Sequence, residues 1–227
     1  MIERIDLFPT SIYKTRIDPS LWNKEKFVNE SIQSYNIDPN RHAKDMPDSE
    51  FHTTYKDWNN PKFNSIDTDD LQKVYSKTIS EFFNSLKLKC DINYSWSVVN
   101  ISIGKDNWYD WHCHGGIPSK EGYVNNFVMV HYIKFDEKVH NSTCFKNPLI
   151  MSLFKNNLIL RHIMNDNHIE HSTYRSNCAL SVVEDDVIIF PSYLYHGVLK
   201  KNSNTEKFRI ITSTHLDIKY DEGLLYG

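Results

Sequence analysis

His112 and His114 stand one residue apart in Asp106-Asn-Trp-Tyr-Asp-Trp-His112-Cys-His114-Gly-Gly, and His196 closes the distant segment Val187-Ile-Ile-Phe-Pro-Ser-Tyr-Leu-Tyr-His196. On an extended strand residues i and i+2 face the same way, so one strand can offer two imidazoles to a single ion while Cys113 points out. A segment from the opposite wall of a barrel would bring His196 to the same point. Neutral imidazole suits Zn, Fe, Cu and Ni alike, so the three residues define a candidate metal site without naming its metal. The plainer alternative for an HxH beside Trp108 and Trp111 is a pair of partly exposed polar residues at a strand end. His196 argues against it, because an apolar strand and the turn at Pro191 are where a buried strand hands a side chain to a cavity. The histidines at 42, 52, 131, 140, 162, 168, 171 and 215 lack this pairing. They read as surface or satisfied core residues, with His52 and His131 as candidate pocket liners.

Arg209 lies in Lys207-Phe-Arg-Ile-Ile-Thr-Ser-Thr-His215, inside an apolar strand pattern. A buried guanidinium needs an anion, and its planar fork matches a carboxylate. Two partners are open: an acidic residue such as Asp186, or the carboxylate of a small acid whose other end chelates the metal.

The elements that must hold these groups come in two blocks. Leu7 to Tyr13 reads as a short edge strand, since Pro9 lacks a ladder donor. Asp18 caps a helix with Pro19 in its first turn and Leu21, Trp22, Val28, Ile32 and Tyr35 on one face, ending near Asp38-Pro39. Residues 38–62 read as loop around a short strand-like run, 51–55. Leu71, Val74, Tyr75, Ile79, Phe82, Phe83 and Leu86 place a second amphipathic helix over 67–87, one that should pack against a sheet. From Tyr94 onward, runs rich in Val, Ile, Tyr and Phe predict strands at 94–103, 127–135, 142–146, 158–163, 178–183, 186–190 and 207–217, with polar connections at 136–141 and 164–177. Strands preceded by helices predict a mainly β fold with flanking α: a jelly-roll core behind N-terminal supporting helices. We read one domain over 1–227, with helical support in 1–90 and the β core in 91–220.

Composition narrows the partners. A formal net charge of −3 gives no basic field for nucleic acid, and no apolar run is long enough to span a bilayer. The N-terminus lacks the pattern of a secretory signal, so a cytoplasmic location is expected. Cys90, Cys113, Cys144 and Cys178 have no CxxC spacing and read as free thiols.

Taken together, Leu7-Phe-Pro-Thr10, His112-Cys-His114, Phe190-Pro-Ser-Tyr-Leu-Tyr-His196 and Arg209 resemble the 2-oxoglutarate- and Fe(II)-dependent oxygenases, in a small branch common in bacteria and tailed phages. The resemblance implies a double-stranded β-helix, with a viral source among those expected. It also implies His112 and His196 as iron ligands, 2-oxoglutarate as co-substrate with its distal carboxylate on Arg209, dioxygen as the second co-substrate, and hydroxylation of a C–H bond. Tyr132 and Asn100 are candidate liners of the 2-oxoglutarate pocket. Two positions depart from the wider pattern. His114 stands where the family's facial triad has Asp or Glu, leaving the ion's double charge undiminished if it ligates, or a water in its place if it does not. Ile211 stands where many relatives carry Ser or Thr, with Thr212 or Ser213 as possible substitutes. The prime substrate is open, with a protein or peptide side chain preferred and Trp108, Tyr109, Trp111, Tyr193 and Tyr195 as an aromatic mouth. Two other readings are a cupin-like metalloenzyme, in which His112, His114, Glu121 and His196 bind the metal, and a non-enzymatic binding protein associated with phage.

Overall fold

The structure is a computed structural model that describes residues 2–7, 10–37, 52–53, 66–87, 90–93, 97–103, 109–114, 121–148, 177–199 and 205–220. The expected strand at 158–163, Trp108 and most of the 38–62 and 164–177 connections lie outside the described residues.

The chain opens with β1 (Glu3–Leu7) and β2 (Thr10–Arg16), paired antiparallel with Leu7 opposite Thr10. The single edge strand expected over Leu7 to Tyr13 is thus two strands, and β2 is internal because its other edge pairs with a later strand. The expected first helix is also two pieces. Asp18 caps a 3-10 turn at Pro19–Leu21, accepting from the Ser20 N–H at 2.9 Å, and Trp22 is then extended. Asn23 accepts from the Lys26 N–H at 3.1 Å and restarts the chain as α1 (Lys24–Ile37). The break lets the Trp22 ring bury against Phe27 and His131. After β3 (His52–Thr53) comes α2 (Asp69–Ser85), which buries Leu71, Tyr75, Ile79, Phe82 and Phe83 along the face its spacing predicts.

The remaining strands are β4 (Cys90–Asn93), β5 (Ser97–Ile103), β6 (Tyr109–His112), β7 (Val124–Lys134), β8 (Cys144–Lys146), β9 (Asn177–Ala179), β10 (Asp186–Pro191), β11 (His196–Val198) and β12 (Phe208–Tyr220). They form two antiparallel sheets. The major sheet runs β1-β2-β10-β7-β12-β5-β3, with β4 also on β12; the minor sheet runs β6-β11-β8-β9. This is the jelly-roll architecture expected. β1, β2 and β3, all within the first 90 residues, extend the major sheet rather than supporting it from outside.

Alternation along the major sheet sorts its side chains between two cores. Met129, Ile133, Val187, Ile189, Ile210, Leu216 and Ile218 face α1 and α2. Ile12, Val128, Val130, Tyr132, Ile188, Phe190 and Ile211 face the minor sheet, meeting Phe145, Leu180 and Leu194. Each fully buried aliphatic or aromatic side chain contributes roughly 1.5–3 kcal/mol, so both cores stabilise the major sheet. His131 faces the helices, where its Nδ1 is 3.0 Å from the Tyr75 hydroxyl, and Tyr75 also bonds the Thr212 hydroxyl. His52 is buried on the same side, with its Nε2 3.4 Å from Ser34 Oγ. Neither lines the space between the sheets, which corrects the expectation for both: their strand parity points them at α1 and α2.

Candidate metal and anion site

β6 and β11 are antiparallel neighbours in the minor sheet, and His112 is directly opposite His196. Directly paired residues project from the same face with Cβ atoms about 5 Å apart. The two imidazoles therefore meet across one sheet, at 4.3 Å between ring centroids, not from opposite walls as expected. β6 ends at His112, so His114 arrives by a turn beyond the strand, anchored by its N–H donating to Ser192 O at 2.8 Å. Cys113 between them is exposed, and all four cysteines are free thiols. His196 does not end a strand but opens β11. Pro191 closes β10, and the Leu194 N–H donates back to Pro191 O at 3.0 Å to turn the chain.

The ligand nitrogens of His112, His114 and His196 all lie within 4.8 Å of one another, and the His114 and His196 Nε2 atoms are 3.3 Å apart. Nitrogens each about 2.1 Å from a shared ion stand roughly 3 Å apart when adjacent in its shell, so the spacing fits. Orientation fits as well. His112 Nδ1 donates to Asp110 O and His196 Nδ1 to Leu194 O, each at 2.8 Å, which leaves Nε2 of both rings as a lone pair. Burial, and then the neighbouring imidazoles, hold His114 down at about 2, and burial holds His196 down at about 3; His112 is lowered by burial too. All three are neutral near pH 7 and can donate to a cation. Phe190 and Phe145 wall His196 at 4.7 and 6.1 Å.

Arg209 occupies the same inter-sheet space. It is 4% exposed, and among the described residues its Nε and Nη2 have no hydrogen-bond partner. Asp186, the alternative partner, is taken: it accepts from Arg16 Nε at 2.9 Å and the Val183 N–H at 2.9 Å, with Lys14 Nζ at 3.4 Å. Burial lowers the Arg209 pKa, but a guanidinium keeps its proton. The Tyr132 and Phe135 rings lie 5.9 and 6.0 Å from its Cζ. Tyr132 offers the guanidinium its ring, since its hydroxyl donates to Thr143 Oγ1 at 2.7 Å and accepts from Thr143 N at 3.0 Å. Ile211 packs between the sheets and Thr212 bonds Tyr75 on the helix side, so of the two suggested substitutes only Ser213 shares strand parity with Arg209. Asn100 is on β5, opposite Ile211 of β12, and its side chain lies outside the described residues.

The aromatic mouth is divided. Trp111 and Lys146 neighbour His112 and Phe145 on their strands and so take the opposite face, where the Lys146 ammonium sits over Trp111 at 4.4 Å and Tyr195 at 5.4 Å. Tyr193 and Tyr195 are exposed. Glu121 is exposed at a turn, outside the histidine cluster. Glu121→Ala is therefore expected to leave divalent-metal affinity within about twofold of wild type by equilibrium dialysis; a loss of tenfold or more would favour the four-ligand cupin arrangement.

His215 is the residue that sequence spacing missed. Its ring meets His114 at 4.5 Å between centroids, nearly perpendicular. The available signal was parity: Arg209, Ile211, Ser213 and His215 alternate onto one face of β12.

No protein-family model matches the sequence, and no curated protein matches it. Solved structures do. A prolyl hydroxylase from Trichoplax adhaerens, in complex with a hypoxia inducible factor oxygen degradation domain peptide fragment, aligns with a TM-score of 0.51 at 11% identity, over 94% of this chain and 87% of its own. The viral collagen prolyl hydroxylase of Paramecium bursaria Chlorella virus-1, as its 2OG complex, aligns at 0.48 and 13% identity over 90% and 95% of the two chains. HygX from Streptomyces hygroscopicus, with nickel and 2-oxoglutarate bound, aligns at 0.47 and 12% over 94% and 84%. At these identities the likeness is one of fold: the two-sheet architecture is shared with the Trichoplax hydroxylase.

Proposed function

We propose that the protein is an Fe(II)- and 2-oxoglutarate-dependent oxygenase that hydroxylates a C–H bond. The observation that carries this reading is Arg209, a buried cation with unmet N–H donors, in the same inter-sheet space as three convergent neutral imidazoles. A fully buried charge without a counter-ion is costly, and a fork-shaped donor set is suited to a carboxylate. A small diacid, one end on the metal and the other on Arg209, accounts for both features together. A zinc site of three histidines alone would leave Arg209 without a task.

Within this reading His112, His114 and His196 hold the metal, which with 2-oxoglutarate and dioxygen supplies the oxidising chemistry. The chain's own part is positional. The carbonyls of Asp110 and Leu194 fix two imidazoles in the tautomer that presents Nε2. Arg209 orients the co-substrate, the Tyr132 ring and Phe135 line its guanidinium, and Phe145 and Phe190 keep water from the side of His196. Asn100 belongs to the 2-oxoglutarate pocket in this proposal, by its register opposite Ile211.

For the prime substrate we favour a protein or peptide side chain. The support is the peptide fragment held by the Trichoplax hydroxylase, and the exposed Tyr193 in the turn that follows β10. Nucleic acid has no basic surface field to attract it, with a net charge of −3, and no described helix is long and apolar enough to cross a membrane.

The test is consumption of 2-oxoglutarate. Fe(II)-loaded protein in air should release carbon dioxide from its C1 and accumulate succinate, slowly without prime substrate and faster with peptide pools. A chelator should stop both. Absence of turnover in folded protein that demonstrably holds Fe(II) would contradict the proposal.

A further inference from the structure

Two of the three imidazoles are aimed by a backbone carbonyl two residues upstream; His114 is not. It lies past the end of β6, so no strand ladder sets its direction, and no Nδ1 hydrogen bond is seen among the described residues. Its N–H bond to Ser192 O fixes the main chain and not the ring, whose own hydrogen bond is the 3.3 Å Nε2–Nε2 contact with His196 that a shared ion would replace. What meets the ring are other imidazoles. His196 stacks on it at 21° and 5.0 Å, and His112 stands at 76° and 5.0 Å; these are the two rings it would converge with on an ion. Among the described residues, His215 is the one imidazole that meets it from outside the trio, at 79° and 4.5 Å.

His215 is itself well held. It lies within β12, paired with Val128 of β7, and its Nδ1 accepts from Asn125 Nδ2 at 3.0 Å. Asn125 is on β7, and Ser192 bonds its backbone and that of the next residue: Ser192 Oγ donates to Asn125 O at 2.8 Å and Ser192 N to Asn126 O at 3.0 Å. The main chain and the ring of His114 are thus tied to the same stretch of β7 by two routes, through Ser192 and through His215.

We propose that His215 is the positioning residue of the third metal ligand, holding the His114 ring edge-to-face so that its Nε2 points at the ion. The proposal rests on reading the trio as a metal site. It assigns to a side chain of β12 the task that carbonyls perform for the other two ligands, and it makes the strand that carries the anion-binding Arg209 also a support of the metal. Hydrogen-bonded partners that orient a ligand typically account for roughly 10–100-fold in metal affinity; an edge-to-face ring pair is worth about two- to tenfold, and another aromatic ring of similar outline can make it.

Cobalt(II) reports this directly, because its visible d–d absorption responds to the number and geometry of ligands. The full chain should be titrated with Co(II) as wild type, His114→Ala, His215→Ala and His215→Phe. Wild type is expected to bind. His114→Ala should bind roughly 10–100-fold more weakly and His215→Ala about two- to tenfold, with the loaded His215→Ala spectrum displaced toward that of His114→Ala. His215→Phe should stay within about threefold of wild type, with an unchanged band shape. A purely structural His215 would lower thermal stability without moving the spectrum of the loaded protein. Wild-type affinity and spectrum in His215→Ala, alongside a loss in His114→Ala, would overturn this proposal while leaving the metal site intact. No change in His114→Ala would overturn it by removing His114 from the ligands, and no Co(II) binding by wild type would overturn it together with the metal reading itself.

Discussion

Arg209→Met protein is expected to unfold at a higher temperature than wild type and to bind no 2-oxoglutarate. The guanidinium is 4% exposed, and its Nε and Nη2 lack partners among the described residues. The rings of Tyr132 and Phe135 lie 5.9 and 6.0 Å from its Cζ. Replacing an uncompensated buried charge by an apolar chain of similar length stabilises by about 1–4 kcal/mol, or several degrees in Tm for a chain of this size. Wild type should recover that difference only with its ligands: at a hundred times Kd, each of metal and 2-oxoglutarate should add about 2.7 kcal/mol. Arg209→Met should gain nothing from the acid. Differential scanning calorimetry of both proteins, with and without the two ligands, checks all four states. A variant less stable than wild type without ligand would mean that protein groups already compensate Arg209, and that its role is structural.

The second large effect concerns charge at the metal. Three neutral imidazoles leave a divalent ion at its full charge, in a space that already holds the Arg209 cation. Two unit charges about 4 Å apart interact by about 4 kcal/mol at an effective dielectric of 20, so a missing carboxylate ligand matters. The dianion of 2-oxoglutarate supplies the missing negative charge. Metal and acid should therefore strengthen each other's binding more than in a site with a carboxylate ligand, by the same factor in both directions. His114→Asp restores that carboxylate. It is expected to bind Fe(II) at least tenfold more tightly without 2-oxoglutarate, and to show a smaller gain when the acid is added. Anaerobic equilibrium dialysis of Fe(II), with and without 2-oxoglutarate, measures the factor. Equal coupling in wild type and His114→Asp would show that His114 does not set the charge of the site.

The parts of this arrangement differ in how much of them the amino-acid order reveals. The strand-rich core was legible because Val, Ile and Phe recur in short runs, and α2 because Leu71, Tyr75, Ile79 and Phe82 repeat at helical spacing. The three candidate ligands were legible because HxH offers two imidazoles from one strand and His196 follows an apolar strand and a turn. Their geometry was not, since which strands become neighbours is a long-range choice: the pairing of β6 with β11 places His196 beside His112, where opposite walls were expected. β11 is three residues long and carries no periodicity to find. The split of the first helix turned on Trp22, whose burial outweighs one more helical turn. Arg209 was legible as a buried cation, but its lack of a protein partner emerged only when Asp186 was seen bound to Arg16 and Lys14. His215 stands alone in sequence, and only the alternation of β12 brings it to His114.

If one site holds a metal by three histidines and 2-oxoglutarate by Arg209, adding Fe(II) and 2-oxoglutarate to metal-free protein under anaerobic conditions should show it in the visible spectrum. Chelation of the iron by the acid produces a metal-to-ligand charge-transfer band. The band is expected in wild type, absent in His196→Ala, and absent or shifted to far higher 2-oxoglutarate concentrations in Arg209→Met. A folded wild-type protein that shows no band at saturating iron and acid would contradict the account.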